Sequence, residues 1–252
     1  MITVELPSPA ALEAASSAFT VALVGIGLLI VGSAVVAATW ARSLNGWALG
    51  GVSFVLSQAS QVVILFLFGP LIAAFTIAPL QEASRAVLLS TAARGVRNER
   101  SSSAFGFGHG AVDLLTSSLI PTLSAVIILG GIQDGSIFVG LDAEVTERVQ
   151  AVAVFLASQT QLSAALLVVQ GAAMMVLHAL LSSMVLRAVV RGGGARAIGV
   201  GMLLPSAIHT PVAVARTLFP TVTFPVILIA LLVAALIYRR GQGATGELAP
   251  KG

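Results

Sequence analysis

Six side chains of this 252-residue chain stand where only function or pairing would keep them: Glu82, Arg85, His109, Asp113, His178 and His209. The three histidines are the only ones present, and all six residues lie inside long apolar runs. An ionisable group in a bilayer is costly and is rarely kept there without a function or a partner. The residue types suggest a chemistry. A carboxylate can take a proton from water, and an imidazole can move protons near neutral pH or bind a metal. Glu82 and Arg85 are three apart and share a helix face, where the guanidinium holds the carboxylate ionised. His109 and Asp113 are four apart, so the carboxylate can orient the imidazole or join it in binding a metal.

The elements that must position these groups are membrane spans. Hydrophobic residues make up 57% of the chain and charged residues only 9%, against roughly 25% charged in soluble domains. There are no cysteines, which excludes structural disulfides and thiolate metal sites. Net charge is +3, but the basic residues sit in short loops beside apolar runs. No basic patch interleaved with aromatics supports nucleic-acid binding. Glu5 and Glu13 stand where a secretory leader would carry positive charge, so the first apolar run is expected to be a span. Seven spans near the ~20 residues a bilayer demands are expected, at 18–39, 46–68, 70–91, 104–129, 162–190, 197–214 and 218–238. The fold class expected is all-α: a polytopic transmembrane helical bundle forming one domain over 1–240, with a disordered cytoplasmic tail at 241–252. A Gly69-Pro70 break separates the second and third spans in a tight hairpin.

Charge sets the orientation. Arg42, Arg94, Arg97, Arg100, Arg187, Arg191, Arg196, Arg239, Arg240 and Lys251 fall on one side. The other side carries Glu5, Glu13, Asp134, Asp142, Glu144 and Glu147, with only Arg148 and Arg216 as cations. This places the N-terminus outside and the C-terminus in the cytoplasm. A residue rises about 1.5 Å along a helix. Measured from the nearest cytoplasmic arginine, Glu82 is about 18 Å deep, His109 and His178 about 13 Å, Asp113 about 19 Å and His209 about 20 Å. Four spans thus bring ionisable groups into one slab of the cytoplasmic half. Outside the spans, Val145, Val149, Val152 and Leu156 recur at helical spacing, and an amphipathic outer helix is expected over about 142–160.

In Phe105-Gly106-Phe107-Gly108-His109-Gly110, Gly106 and Gly110 have the small-xxx-small spacing that lets another helix approach closely. Each polar group also has a structural reading. Glu82–Arg85 can be a neutralising pair, His178 can bond Ser182, and His209 can fill the gap that Pro211 opens in the helix ladder. Gln58, Gln61 and Gln170 read as interhelical hydrogen-bonders, and Met174 and Met175 as core.

Three stretches resemble the YhfC family of intramembrane proteases, which is distantly related to the CAAX prenyl protease and bacteriocin-processing enzymes. Gln81-Glu82-Ala83-Ser84-Arg85 is similar to the family's acidic-pair-to-arginine motif. Gly106-Phe107-Gly108-His109-Gly110-Ala111-Val112-Asp113 is similar to its Gly-x-Gly-His-Gly-x-x-Glu motif. His178 and His209 fall where late-helix histidines are expected. The chain departs from the pattern at Gln81, where the family has an acid, at Asp113 in place of glutamate, and at Ala213, where related enzymes often carry an acid or amide. The resemblance implies peptide-bond hydrolysis within the cell membrane, on a membrane-protein or lipidated-peptide substrate, with Glu82, Arg85, His109, Asp113, His178 and His209 as site residues. Two mechanisms stay open. In one, Glu82 is the base and His109 or His209 stabilises the oxyanion. In the other, His109, His178 and His209 hold a divalent metal such as zinc, with Glu82 or Asp113 as base. The alternatives are a weakened or inactive pseudoprotease scaffold and a proton- or metal-coupled transporter.

Overall fold

The computed structural model describes residues 6–92, 98–190 and 194–243, with side chains not described at 194–198, 200 and 241–243. The orienting side chains of Arg94, Arg97, Arg191, Arg196 and Lys251, and the expected tail beyond residue 243, lie outside the described residues.

Among the described residues the regular structure is entirely helical. The order is α1 (Pro9–Thr39), α2 (Leu44–Ser90), α3 (Glu99–Leu114), a π-helical turn (Leu115–Leu119), α4 (Ile120–Gln133), α5 (Ala143–Ala157), α6 (Gln161–Val190), α7 (Gly194–Leu218) and α8 (Thr223–Gly243). Helix is the form that satisfies every backbone group within its own segment, which a bilayer requires. Five of these stretches are long and apolar enough to cross a membrane: α1, α2, the run from α3 through α4, α6, and α8 with the short turn before it. Their outer faces carry large apolar side chains in the open, such as Phe66 at 87% exposure and Leu28 at 67%. In water that surface would aggregate; in lipid it is the solvated face.

The expected seven spans map onto five such stretches for two reasons. Spans two and three are the two limbs of α2, which folds back at Gly69. There φ is +78°, a left-handed conformation that glycine adopts without a Cβ penalty. Ser53 and Ser84 hydroxyls meet at 2.9 Å, and Gln61 Nε2 donates to Ala73 O at 2.6 Å, so the limbs run antiparallel. The sixth expected span lies within α7, which is helical but is not among the five; Arg216 and two internal prolines, Pro205 and Pro211, fall inside this helix.

Two compact units make up the chain. One comprises residues 1–30 and 114–171. Its core joins Leu12, Ala15, Ala125, Leu129, Ala153 and Leu156, and Ala18 and Ala22 pack on Ala164. It contains α5, the amphipathic segment expected from the valine spacing. Asp142 caps that helix by accepting from Val145 N at 2.8 Å. The other comprises residues 31–113 and 172–252 and contains all six chemical residues. One of its clusters packs Met174, Leu177 and Leu181 of α6 on Ile208 and Val212 of α7 and Ile227 and Ala234 of α8.

Glycines bring the helices of the second unit into backbone contact. A Cβ on Gly108 would collide with the Trp47 backbone, and one on Gly50 would strike the Phe105 carbonyl and lie 2.9 Å from His109 N. On the adjoining face, a Cβ on Gly106 would collide with His178 O and the Ala179 backbone, and one on Gly110 would sit 3.0 Å from Met175 Cα. Helix α3 is therefore wedged between the first limb of α2 and α6, with no side-chain layer between them.

Candidate active site

That wedge determines where His109 goes. Its neighbours Gly108 and Gly110 are used for close approach, so the imidazole projects into the seam and is fully buried. The Phe54 ring meets it edge-on at 5.3 Å, and the His178 ring lies 4.9 Å away. His178 in turn lies 5.2 Å from His209, so the three imidazoles form a series. None of the six expected residues is more than 5% exposed. They come from both flanks of one site: Glu82 and Arg85 from the second limb of α2, His109 and Asp113 from α3, His178 from α6 and His209 from α7.

A continuous polar chain links five of them, all but His109. His209 Nδ1 lies 3.3 Å from Glu82 Oε1. The same oxygen accepts from Arg85 Nη1. Arg85 Nη2 meets His178 Nδ1, and His178 Nε2 lies 3.3 Å from Asp113 Oδ2. Beyond Asp113 is a cation expected on the outer side of the membrane. Arg216 Nη1 lies 3.0 Å from both Asp113 oxygens. The signal for it was its position seven residues after His209, two helical turns on, which puts both on one face of α7.

Three expectations need correction. Asp113 does not orient His109, although the two are four apart; its carboxylate is engaged by His178 and Arg216, and the His109 nitrogens have no hydrogen-bond partner among the described residues. His178 does not bond Ser182, whose buried hydroxyl also lacks a partner; Arg85 and Asp113 supply stronger, charged partners on either side of the ring. Arg216 is not simply a loop charge. Other readings stand: Glu82 and Arg85 pair, Gln61 bonds across the α2 hairpin, and Met174 and Met175 are buried.

Residues 15–233 match the family described as YhfC intramembrane metalloprotease. The chain belongs to that family. It is accordingly a multi-pass membrane protein in contact with the bilayer, and at family level a membrane protease. No curated protein and no solved structure matches it significantly.

A metalloprotease family implies a metal, so the donors must be tested for one. Three imidazoles and two carboxylates are suitable by type. Their arrangement is not. Among the described residues no three His, Asp or Glu side chains are placed to hold an ion. The His178 nitrogens face Arg85 and Asp113, Glu82 Oε1 is shared by Arg85 and His209, and the Arg85 guanidinium already lies between donors that a metal would need. These residues do not fit a resident metal ion as they stand. What they leave available is hydrogen-bonding capacity. Gln81 Oε1, Glu82 Oε2, Arg85 Nε, both His109 nitrogens and Ser182 Oγ are buried without a partner among the described residues. Buried polar atoms are rarely left so, and a water with two to four such neighbours is the usual solution.

Proposed function

We propose that this chain is an intramembrane endopeptidase that hydrolyses peptide bonds of membrane-associated substrates at a carboxylate–imidazole site. The observation that carries this is the coincidence of Glu82 Oε2 and both His109 nitrogens, buried and without a partner among the described residues, beside the Arg85 guanidinium that pairs with Glu82. In this reading Glu82 Oε2 takes a proton from a water as its oxygen attacks the substrate carbonyl carbon. Arg85 and His209 Nδ1–H hold the other carboxylate oxygen and aim the base. A neutral His109 has one N–H, which donates to the developing oxyanion. The proton on Glu82 then passes to the leaving amine, the C–N bond breaks, and the carboxylate is restored. The charge pattern of the loops supports a site in the cytoplasmic half of the membrane.

The second reading is an inactive scaffold, favoured by Gln81. The family pattern has an acid here, and this amide is buried at 4% exposure with its oxygen unpartnered. One experiment addresses both. The purified protein in lipid nanodiscs is offered a library of membrane peptides, with and without chelator, as wild type, Glu82→Gln, His109→Ala and Gln81→Glu. Hydrolysis by wild type that survives chelation and falls at least about 10²-fold in Glu82→Gln and His109→Ala supports the proposal, since that is the scale of a lost general base. Equal cleavage by all variants overturns it. Cleavage by Gln81→Glu alone identifies the natural chain as the scaffold.

A further inference from the structure

We infer that the cleft between the start of α2 and the start of α3 binds a phosphate group, supplied by a phospholipid headgroup of the surrounding leaflet. None of the six residues of the candidate active site lines this cleft, and its role does not depend on hydrolysis.

The cleft has a volume of about 550 Å³, and Arg42, Ser43, Asn45, Asn98 and Ser101 are among the residues that line it. No carboxylate lines it among the described residues. Glu99, the acid beside Asn98 in the chain, is engaged by Arg187 at 2.8 Å. What the lining offers is donors. Ser43 stands at the N-cap of α2 yet makes no side-chain cap bond. The first bond of this helix runs from Trp47 N to Ser43 O at 3.1 Å, so the N–H groups of Leu44, Asn45 and Gly46 have no partner within the helix. Such N–H groups, at the positive end of a helix dipole, favour an anion. A second observation points to a ligand: Ser43 is only 6% exposed, and its hydroxyl has no hydrogen-bond partner among the described residues. A serine at an N-cap normally gives its oxygen to the N–H groups of its own helix. Asn98 does this next door, where its Oδ1 accepts from Ser101 N at 2.9 Å, leaving the amide N–H₂ free to donate. Arg42 supplies the counter-charge. It is exposed and forms no ion pair among the described residues. Its φ is +48°, a left-handed backbone that glycine would adopt without penalty, so the guanidinium is held here at a cost.

The surroundings of the cleft identify the source. Trp40 and Leu44, each 52% exposed, present apolar surface beside it, and Arg100 lies over the Trp40 ring at 5.8 Å. Tryptophan and arginine together at the end of a span mark the headgroup level of a bilayer, where the phosphates are those of lipids.

The chain's two tryptophans, Trp40 and Trp47, stand on either side of the lining segment 41–45, so their fluorescence reports its occupancy. Full-length protein in uncharged detergent micelles is titrated with phosphatidylglycerol brominated on its acyl chains, which quenches tryptophan. A diacylglycerol with the same brominated chains and no phosphate is the control. Saturable quenching is expected, at least about tenfold tighter for phosphatidylglycerol, which is the scale of one charge-assisted hydrogen bond. Arg42→Gln is expected to abolish that preference and Arg42→Lys to keep it. Ser43→Ala is expected to weaken binding about three- to tenfold. It should leave the unfolding temperature of the lipid-free protein unchanged, since that hydroxyl has no partner among the described residues to lose. Inorganic phosphate then separates the sources: quenching that it fails to relieve assigns the site to lipid, and relief shows a free phosphate filling the same site. Equal quenching by the two lipids, an unchanged preference in Arg42→Gln, or wild-type binding by Ser43→Ala overturns the inference.

Discussion

Removing Arg85 is the perturbation whose cost the structure defines best. Its side chain and that of Glu82 are both at 0% exposure and paired three residues apart on one helix. Arg85→Met keeps the aliphatic length and takes away the charge, so the packing loss is small. Breaking a buried pair by deleting one partner costs about 3–5 kcal/mol, most of it the carboxylate left behind. His178 Nδ1 also loses its donor, about 1–3 kcal/mol for a buried unsatisfied group. Protonation of Glu82 caps the total, so about 3–5 kcal/mol is expected. Glu82→Gln, Arg85→Met together remove both charges, and a neutral replacement of similar volume is often tolerated. The double variant should therefore be less destabilised than the two singles added, with a coupling energy of about 2–3 kcal/mol, near the top of the range for residues in contact. The assay is reversible unfolding in mixed micelles, followed as a double-mutant cycle over the four proteins. Singles that add to within about 0.5 kcal/mol would mean that the two residues are not energetically paired. That result would remove the basis for an ionised Glu82.

Two further substitutions test the packing around the site. Gly108→Ala places a methyl against the Trp47 backbone, which cannot move aside by changing rotamer; a loss of about 1–3 kcal/mol or more is expected in the same unfolding assay. Gly130→Ala serves as its control, since nothing lies within 4 Å of the added carbon, and there helix propensity alone should give a gain of up to about 1 kcal/mol. Ser182→Ala deletes a buried hydroxyl that has no partner among the described residues. Its stability should change by no more than about 0.5 kcal/mol or rise slightly, whereas a loss above about 1 kcal/mol would indicate a hydrogen bond to that oxygen.

The sequence was informative wherever chemistry depends on neighbours along one helix. Glu82 and Arg85 pair because three residues bring side chains together on any helix, and Gly106 and Gly110 mark the α6 contact because small residues four apart leave a groove on any helix. The hairpin at Gly69 was legible for the same local reason. The partners of Asp113 were not. Four-residue spacing puts His109 and Asp113 on one face but says nothing about which foreign helix that face meets. In the fold, His178 of α6 comes within 3.3 Å of the carboxylate and the His109 ring turns toward Phe54. Arg216 was hidden by the rule that sorts arginines by loop. That rule treats a charge beyond an apolar run as facing water. Here α7 continues to Leu218, Arg216 stays on the helix, and two turns carry its guanidinium back along the face that holds His209. A long arginine near a helix end can thus serve a buried carboxylate as readily as it serves the surface. In a chain with so few charges, each one near a span end has to be tried against every buried acid before it is counted as topology.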